Sequence, residues 1–235
     1  MISIIVPIYK EKNIYNFVYN FIKKLKKKKI NIYEILLVNN GSDNFSLSQT
    51  SRITKKFWRC KQYIHKEANY GEAIKIGLKK CKGDIIAILE CDFLSVQFLL
   101  NSKDLIGSKL KDLVIGSKTH SESVDQRGFL RVFLTYIFNK FLQNVINVKS
   151  SDTHGVKIIS KKLKDLILKN CKSSGEMFQT EIVIMSEFLN VNIAEIPVKI
   201  YEKRSTEFSI YKRLFKYLLV MIQLYKIKNR EYKII

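Results

Sequence analysis

The chain has 235 residues, of which 46% are hydrophobic and only two are proline, so it suits one ordered α/β domain and excludes a disordered protein. Its 42 Lys and Arg against 21 Asp and Glu give a formal net charge of +21. This excess predicts an anionic partner, such as nucleic acid, lipid headgroups or a phosphorylated substrate, although a lysine-rich proteome would produce the same charge.

Strand-like and helix-like segments alternate along the first half of the chain. A mostly β-branched run at 2–8 predicts a strand, and apolar residues at three- and four-residue spacing over 14–25 predict an amphipathic helix. Further strands are predicted at 33–38, in a short segment that ends at 63–64, at 84–89 and at 113–115, with a turn at 39–44 and a helix at 71–81. Strands separated by helices predict a mostly parallel sheet covered on both faces.

The second half has a less regular pattern. A long helix is predicted at 129–145, a polar loop at 150–155, helices around Leu163 and Ile182, and a half-buried edge strand at 196–200 that contains Pro197. The most apolar helical stretch, YLLVMIQLY, has nine residues between two lysines. A membrane span needs about 20 such residues, so no transmembrane helix is expected.

The C-terminal segment combines apolar and basic residues. Apolar side chains recur at helical spacing over 210–225, and residues 201–235 carry nine Lys and Arg against three acids. A basic helix with an apolar face suits an anionic membrane interface, although docking on the core or on a partner subunit would give the same pattern. We therefore predict one α/β domain at 1–208 and a basic amphipathic helix at 209–235 that faces a membrane or a partner.

The termini and cysteines bear on location. The N-terminal run MISIIVPIYKEK has no basic region before it and no small-residue cleavage site after it, so it predicts a first strand rather than a signal peptide. The four cysteines lack C-x-x-C spacing. We expect reduced thiols in a cytoplasmic protein.

Two carboxylates follow a buried strand in the stretch AILECDFLS. Glu90 and Asp92 are two positions apart, so on a strand they would project from the same face. Ligands of parallel α/β sheets bind beyond the carboxyl ends of the strands, where Asn39 and Asn40 also lie. A metal site or a solvated strand end would each explain such a pair.

Seven segments in order resemble a known family. Four of them resemble the inverting nucleotide-sugar glycosyltransferases of family 2, which have the GT-A fold: IIVPIYKEKNI, EILLVNNGSDN, ANYGEAIKIGL and KGDIIAILECD. Three later segments resemble its polyprenyl-phosphate branch, to which dolichyl-phosphate mannose synthase belongs: SSDTHGVK, FQTEIVI and EIPVKIYEKRSTEFS. The resemblance implies a single GT-A domain and a nucleotide-sugar donor of the UDP or GDP type.

The resemblance assigns a metal and a nucleotide to the first half. The family's D-x-D motif appears here as Glu90-Cys91-Asp92, which implies that Asp92 binds Mg²⁺ or Mn²⁺ and that Glu90 faces the ribose and the metal. Such a cation neutralises the diphosphate as it leaves, and oxygen ligands suit both ions. The nucleoside pocket is matched by Pro7, Tyr9, Glu11 and Asn39, the last in place of the usual aspartate.

The resemblance also assigns acceptor-side residues. Asp152 matches an aspartate that is a candidate general base or acceptor-orienting group. A lipid-phosphate acceptor is already anionic near neutral pH and needs little base strength. Three further residues match positions that resemble phosphate clamps, and Lys118 stands where an arginine is common; the three are Arg131, Arg204 and Ser209.

The leading hypothesis is a peripheral enzyme on the inner face of the membrane. It would transfer a sugar with inversion to a polyprenyl phosphate in cell-envelope glycan assembly, with a membrane-anchoring subunit or a second copy as an additional partner. One alternative is transfer onto a hydroxyl of a surface glycan, with Asp152 as a true base. Another is a catalytically silent relative in a glycan-assembly complex, suggested by the replacements Asn39, Glu90 and Leu94. No motif supports nucleic-acid binding.

Overall fold

Strands and helices alternate through most of the chain. The computed structural model describes residues 1–126, 128–201, 219–225, 227 and 232, and only the backbone at 125, 130, 131, 200 and 201. The elements are β1 (Ile2–Ile8), α1 (Ile14–Lys27), β2 (Glu34–Asn40), α2 (Asn44–Lys56), β3 (Cys60–His65), α3 (Tyr70–Lys80), β4 (Ile85–Ile88), α4 (Val96–Gly107), β5 (Leu113–Ser117), β6 (Val124–Gln126), α5 (Phe129–Phe141), a π-helical turn (Leu142–Ile146), β7 (Lys157–Ser160), α6 (Lys161–Asn170), α7 (Met177–Phe188), β8 (Ile193–Pro197) and β9 (Lys199–Tyr201).

One sheet organises these elements. Its seven strands have the order β3-β2-β1-β4-β7-β5-β8. The first four are parallel, β7 is antiparallel to both of its neighbours, and β8 is parallel to β5. Strands β6 and β9 form a separate parallel pair. The predicted mostly parallel α/β sheet is confirmed.

Both faces of the sheet are buried, which explains the continuous apolar strands. All seven residues of β1 are buried. Ile5 faces a core formed with α3, α6 and α7, whereas Ile4 and Val6 face a second core formed with α1, α2 and α4. A strand that is buried on both faces has no polar alternation, so β1 and β2 were readable from sequence.

Several elements differ from the predictions. Strand β2 continues through Asn40, because Asn39 pairs with β1 and Asn40 pairs with β3, so the predicted turn at 39–44 begins later. The predicted strand at 196–200 is two strands, β8 and β9, which belong to different sheets. Strand β8 ends at Pro197 on the sheet edge. The Val198 N–H donates to Ser123 Oγ at 3.1 Å instead of to a strand of the large sheet. Four elements inside the domain, α2, α4, β6 and β7, were not predicted.

The described part of the C-terminal segment packs on the domain. Leu224, Ile227 and Tyr232 are buried and belong to the core beside α3 and α7. Leu219, Ile222 and Tyr225 are exposed on the same segment. The predicted domain boundary at 208/209 lies outside the described residues. Within the described part of the chain, no helix has the length and apolar character to cross a bilayer.

Candidate active site

A cavity of about 730 Å³ opens beyond the carboxyl ends of β1 and β4. Four residues that the resemblance assigns to the nucleotide line it together: Pro7, Tyr9, Glu11 and Glu90. The opposite wall comes from the start of α7 and from residues 219–223. The position agrees with the rule that ligands of parallel sheets bind at the strand ends.

Asn39 does not line this cavity. Its side chain is fully buried, and Nδ2 donates to Thr50 Oγ1 at 3.1 Å. Its Oδ1 has no hydrogen-bond partner among the described residues. Asn40 lines the cavity instead and accepts the Asn69 N–H. Because β2 includes both residues, their side chains point to opposite faces, and the contact of Asn39 with a base stays a prediction.

A second cavity, of about 190 Å³, adjoins the first and shares Glu90 and His154 with it. Asp92 and Lys118 line it as well. Strand β4 ends at Ile88, so the two acids occupy the turn that follows and not the strand itself. The predicted strand geometry was therefore wrong, yet both acids face one cavity.

These two carboxylates fit a divalent cation that is also bound by a substrate. Within the described residues, no cluster of three or more His, Cys, Asp and Glu side chains could enclose a metal ion. Mg²⁺ in nucleotide sites is commonly held by one or two carboxylates together with substrate phosphates. Asp92 and Glu90 supply that donor set beside a cavity large enough for a nucleotide.

The loop at 149–155 is fixed by side chains from other elements. Glu187 on α7 accepts the backbone N–H groups of 149–150 at 2.7 and 2.8 Å. Glu195 on β8 accepts those of 151–152 at 2.9 and 3.2 Å. Both carboxylates are partly buried, and carboxylates that accept backbone N–H groups in this way hold a loop in one conformation. Contacts within the protein thus fix the loop that carries Asp152.

Asp152, in this loop, is ion-paired with Lys118. Its Oδ2 accepts from the Lys118 backbone N–H and from Lys118 Nζ, each at 3.0 Å, and its Oδ1 accepts the His154 N–H at 2.9 Å. Burial raises the pKa of Asp152, but the Lys118 charge and these hydrogen bonds outweigh it and hold the pKa well below the usual range. Asp152 is therefore an anion with both oxygens engaged and is a weak base.

His154 lines both cavities and is neutral at pH 7. Burial is the main cause that lowers the pKa of His154, and the nearby Lys118 charge adds to it, so that the pKa is about 4. The imidazole ring meets the Phe138 ring edge-on, with centroids 5.3 Å apart. General bases work best with a pKa near the working pH, so neither Asp152 nor His154 is matched to deprotonating a hydroxyl.

The remaining predicted site residues divide into two groups. Lys118 lines the second cavity with 11% of its side chain exposed, and its phosphate-binding role stays a prediction. Arg131 lies in the first turn of α5, but its side chain is outside the described part, as are Arg204 and Ser209 entirely. Their clamp roles stay predictions.

Sequence reasoning missed three side chains that connect the two sides of the site. They are Tyr70, Lys157 and Gln179, which form hydrogen bonds in series, and Tyr70 and Gln179 also line the first cavity. Each lies in a segment that carries the family resemblance. The segments were therefore a signal for these residues, but their mutual contacts exist only in the folded chain.

Comparison with known proteins agrees with this geometry. Residues 3–163 match the family model of glycosyl transferase family 2. The dolichyl-phosphate beta-glucosyltransferase of Dictyostelium discoideum is 27% identical over 84% of this chain and 65% of its own. That of Saccharomyces cerevisiae is 25% identical over 86% and 67%, and the putative glycosyltransferase CsbB of Bacillus subtilis is 26% identical over 76% and 53%. The chain spans between about half and two thirds of these relatives.

Solved structures share the fold. Glucosyl-3-phosphoglycerate synthase of Mycobacterium tuberculosis, in complex with Mn²⁺, UDP and glucosyl-3-phosphoglycerate, aligns with a TM-score of 0.72 at 14% identity over 98% of this chain and 81% of that chain. The same enzyme with Mn²⁺, UDP and phosphoglyceric acid aligns at 0.71 and 15% over 98% and 79%. The predicted GT-A fold is confirmed. Since the family model covers well over half of the residues, the chain belongs to glycosyl transferase family 2.

Proposed function

We propose that the chain transfers a hexosyl group from a UDP- or GDP-sugar to a polyprenyl phosphate, with inversion at the anomeric carbon. The observation that carries the proposal is the Lys118–Asp152 pair at 3.0 Å. It keeps a positive charge beside the cavity and makes Asp152 a weak base. A phosphate acceptor needs that charge and no proton removal. Two of the relatives named above are dolichyl-phosphate glucosyltransferases.

Each side chain has a role in this reaction. Pro7, Tyr9 and Glu11 would bind the nucleoside, and Asp92 with Glu90 would hold Mg²⁺ or Mn²⁺. When bound, that cation offsets the negative charge of the diphosphate. Lys118 attracts the acceptor phosphate, whose oxygen forms a bond to the anomeric carbon as the bond to the diphosphate breaks on the opposite side. The two cavities adjoin at Glu90 and His154, and this supports a placement of donor and acceptor side by side.

A panel of nucleotide sugars tests the proposal. One donor is expected to raise the thermal unfolding temperature only when Mn²⁺ or Mg²⁺ is present. The same donor, radiolabelled and mixed with a polyprenyl phosphate, should give a product that extracts into organic solvent. A water-soluble product formed only with a glycan acceptor would support the hydroxyl alternative. Donor binding without any transfer would support the silent relative.

We also propose that the protein binds the inner face of the membrane through helix α5. Phe129, Phe133 and Tyr136 are 84%, 47% and 58% exposed on one side of this helix. The Lys140 ammonium lies 5.7 Å from the Tyr136 ring centre. Aromatic and basic side chains on one helical face suit an anionic lipid interface. A cavity of about 370 Å³ lies between α5 and Lys118 and is also lined by Ser151, so a lipid headgroup bound there would lie beside the acceptor loop.

The double variant Phe129→Ser, Phe133→Ser is expected to bind phosphatidylserine vesicles at least tenfold more weakly in a pelleting assay. Burying one such side chain is worth about 1.5–3 kcal/mol, so losing two exceeds a tenfold effect. Trp58→Ser is the matched control, since Trp58 is 81% exposed but lies between α2 and β3. Pelleting that equals wild type in the double variant would place the membrane contact elsewhere.

A further inference from the structure

A buried lysine ties the acceptor-side loop to helix α7. Lys157, the first residue of β7, is 0% exposed. Its Nζ donates to the carbonyl oxygens of Thr153 and Gly155, both at 2.8 Å, and to Gln179 Oε1. Three acceptors match the three N–H groups of an ammonium. Lys157 therefore holds two carbonyls of the loop that carries Asp152.

The hydrogen bonds continue from Lys157 to the donor side. Gln179 Nε2 donates to Tyr70 Oη at 2.7 Å, and the Tyr70 hydroxyl donates to Glu90 Oε1. Gln179 is 4% exposed and Tyr70 is partly buried, and both side chains line the larger cavity. Tyr70 is brought there because α3 packs closely on α7: a Cβ at Gly71 would lie 2.8 Å from the Phe178 Cβ. Three side chains in series thus join the acceptor loop to Glu90.

We propose that Lys157 is a positioning residue, which through Gln179 and Tyr70 fixes Glu90 relative to the loop that carries Asp152. The inference rests on the proposed function, because Glu90 serves the donor and Asp152 the acceptor. A misplacement of about 1 Å between reacting groups can cost roughly 100-fold in rate. A rigid link between the two groups would prevent that loss.

The cost of burying Lys157 supports a specific role. Burial lowers the pKa of Lys157 to about 7, with Asp152 opposing that shift, Lys118 adding to it and Glu90 opposing it. Taking an ammonium out of water costs several kcal/mol, and an apolar residue of similar volume would fill the same space without that cost. An apolar residue would, however, leave the two loop carbonyls and Gln179 without this donor.

The test is a double-mutant cycle in the full chain. Lys157→Met is expected to lower kcat about 10- to 100-fold, while the Kd for UDP with Mn²⁺ changes less than threefold. Tyr70→Phe should lower kcat less, and the double variant should resemble Lys157→Met alone, because both changes break one link. Independent, multiplying effects on kcat would overturn the proposal. Lys164→Met is the matched control: its side chain is 14% exposed and pairs with Asp165 on α6, away from the loop.

Amide hydrogen exchange gives a readout that needs no turnover. Faster exchange at 151–155 in both Lys157→Met and Tyr70→Phe, with far-UV circular dichroism unchanged, would support the link. Unchanged exchange there in Tyr70→Phe would overturn it. If wild-type protein turns over no donor at all, the proposed function fails, yet this measurement still decides whether Lys157 and Tyr70 position the loop.

Discussion

Replacing Asp92 by Asn is expected to abolish metal-dependent nucleotide binding and sugar transfer while the fold stays intact. Asp92 lies in the turn after β4 and lines the same cavity as Glu90 and Lys118. The amide has nearly the shape of the carboxylate but no charge, so a bound cation loses an anionic ligand. Loss of residues that merely support ligands costs about 10–100-fold in metal affinity, and loss of a ligand should cost at least about 100-fold. Calorimetric titration of UDP, with and without Mn²⁺, measures the effect.

Two variants serve as comparisons for Asp92→Asn. Glu90→Gln is expected to be milder, since the amide oxygen still accepts from Tyr70 and keeps the side chain in place. Asp104→Asn removes one carboxylate from α4, where that side chain is 79% exposed and pairs with Lys103, and should leave nucleotide binding unchanged. Full transfer activity in Asp92→Asn would contradict the metal assignment.

The elements that sequence could predict are those whose burial shows as an apolar pattern. Strand β1 and helix α1 bury apolar residues in continuous or helical order. Helix α2 was missed because Ser46 and Thr50 form part of its buried face, so apolar periodicity is weak. Strand β7 has only four residues, one of them Lys157, and exists through pairing with β4 and β5, which are distant in sequence. Local pattern cannot reveal such pairing.

The site shows a similar division. The family segments were sufficient to select Tyr9, Glu90 and Asp92 as neighbours in a site, and in the structure these residues line adjoining cavities. The nucleotide-facing residue of β2 was assigned to Asn39, but the strand runs two residues further than predicted, to Asn40, and Asn40 lines the cavity. A shift of one position reverses the face of a strand residue. The weak basicity of Asp152 was also beyond sequence, because it depends on burial and on the Lys118 contact.

Replacing Asp152 by Asn is expected to lower turnover roughly 100- to 1,000-fold, the range for losing one preorganised electrostatic group, with near-normal nucleotide affinity. The carboxylate accepts from Lys118 at one oxygen and from the His154 N–H at the other. An asparagine has a single acceptor oxygen, so it loses one of these interactions and turns its NH₂ group toward a donor. Lys118 then loses the charge that orients it.

Removing one partner of a buried ion pair typically destabilises a protein by about 3–5 kcal/mol, so thermal unfolding must be measured beside turnover. Lys118→Met should reproduce the loss of turnover if Asp152 acts by orienting that ammonium.

The pH dependence of turnover then identifies the acceptor. A phosphate acceptor is anionic throughout pH 7–9, so the residual turnover of Asp152→Asn should not rise with pH there. If Asp152 deprotonated a hydroxyl, hydroxide would replace it increasingly, and residual turnover would rise with pH. A donor affinity that fell as far as turnover would show instead that Asp152 serves the donor side.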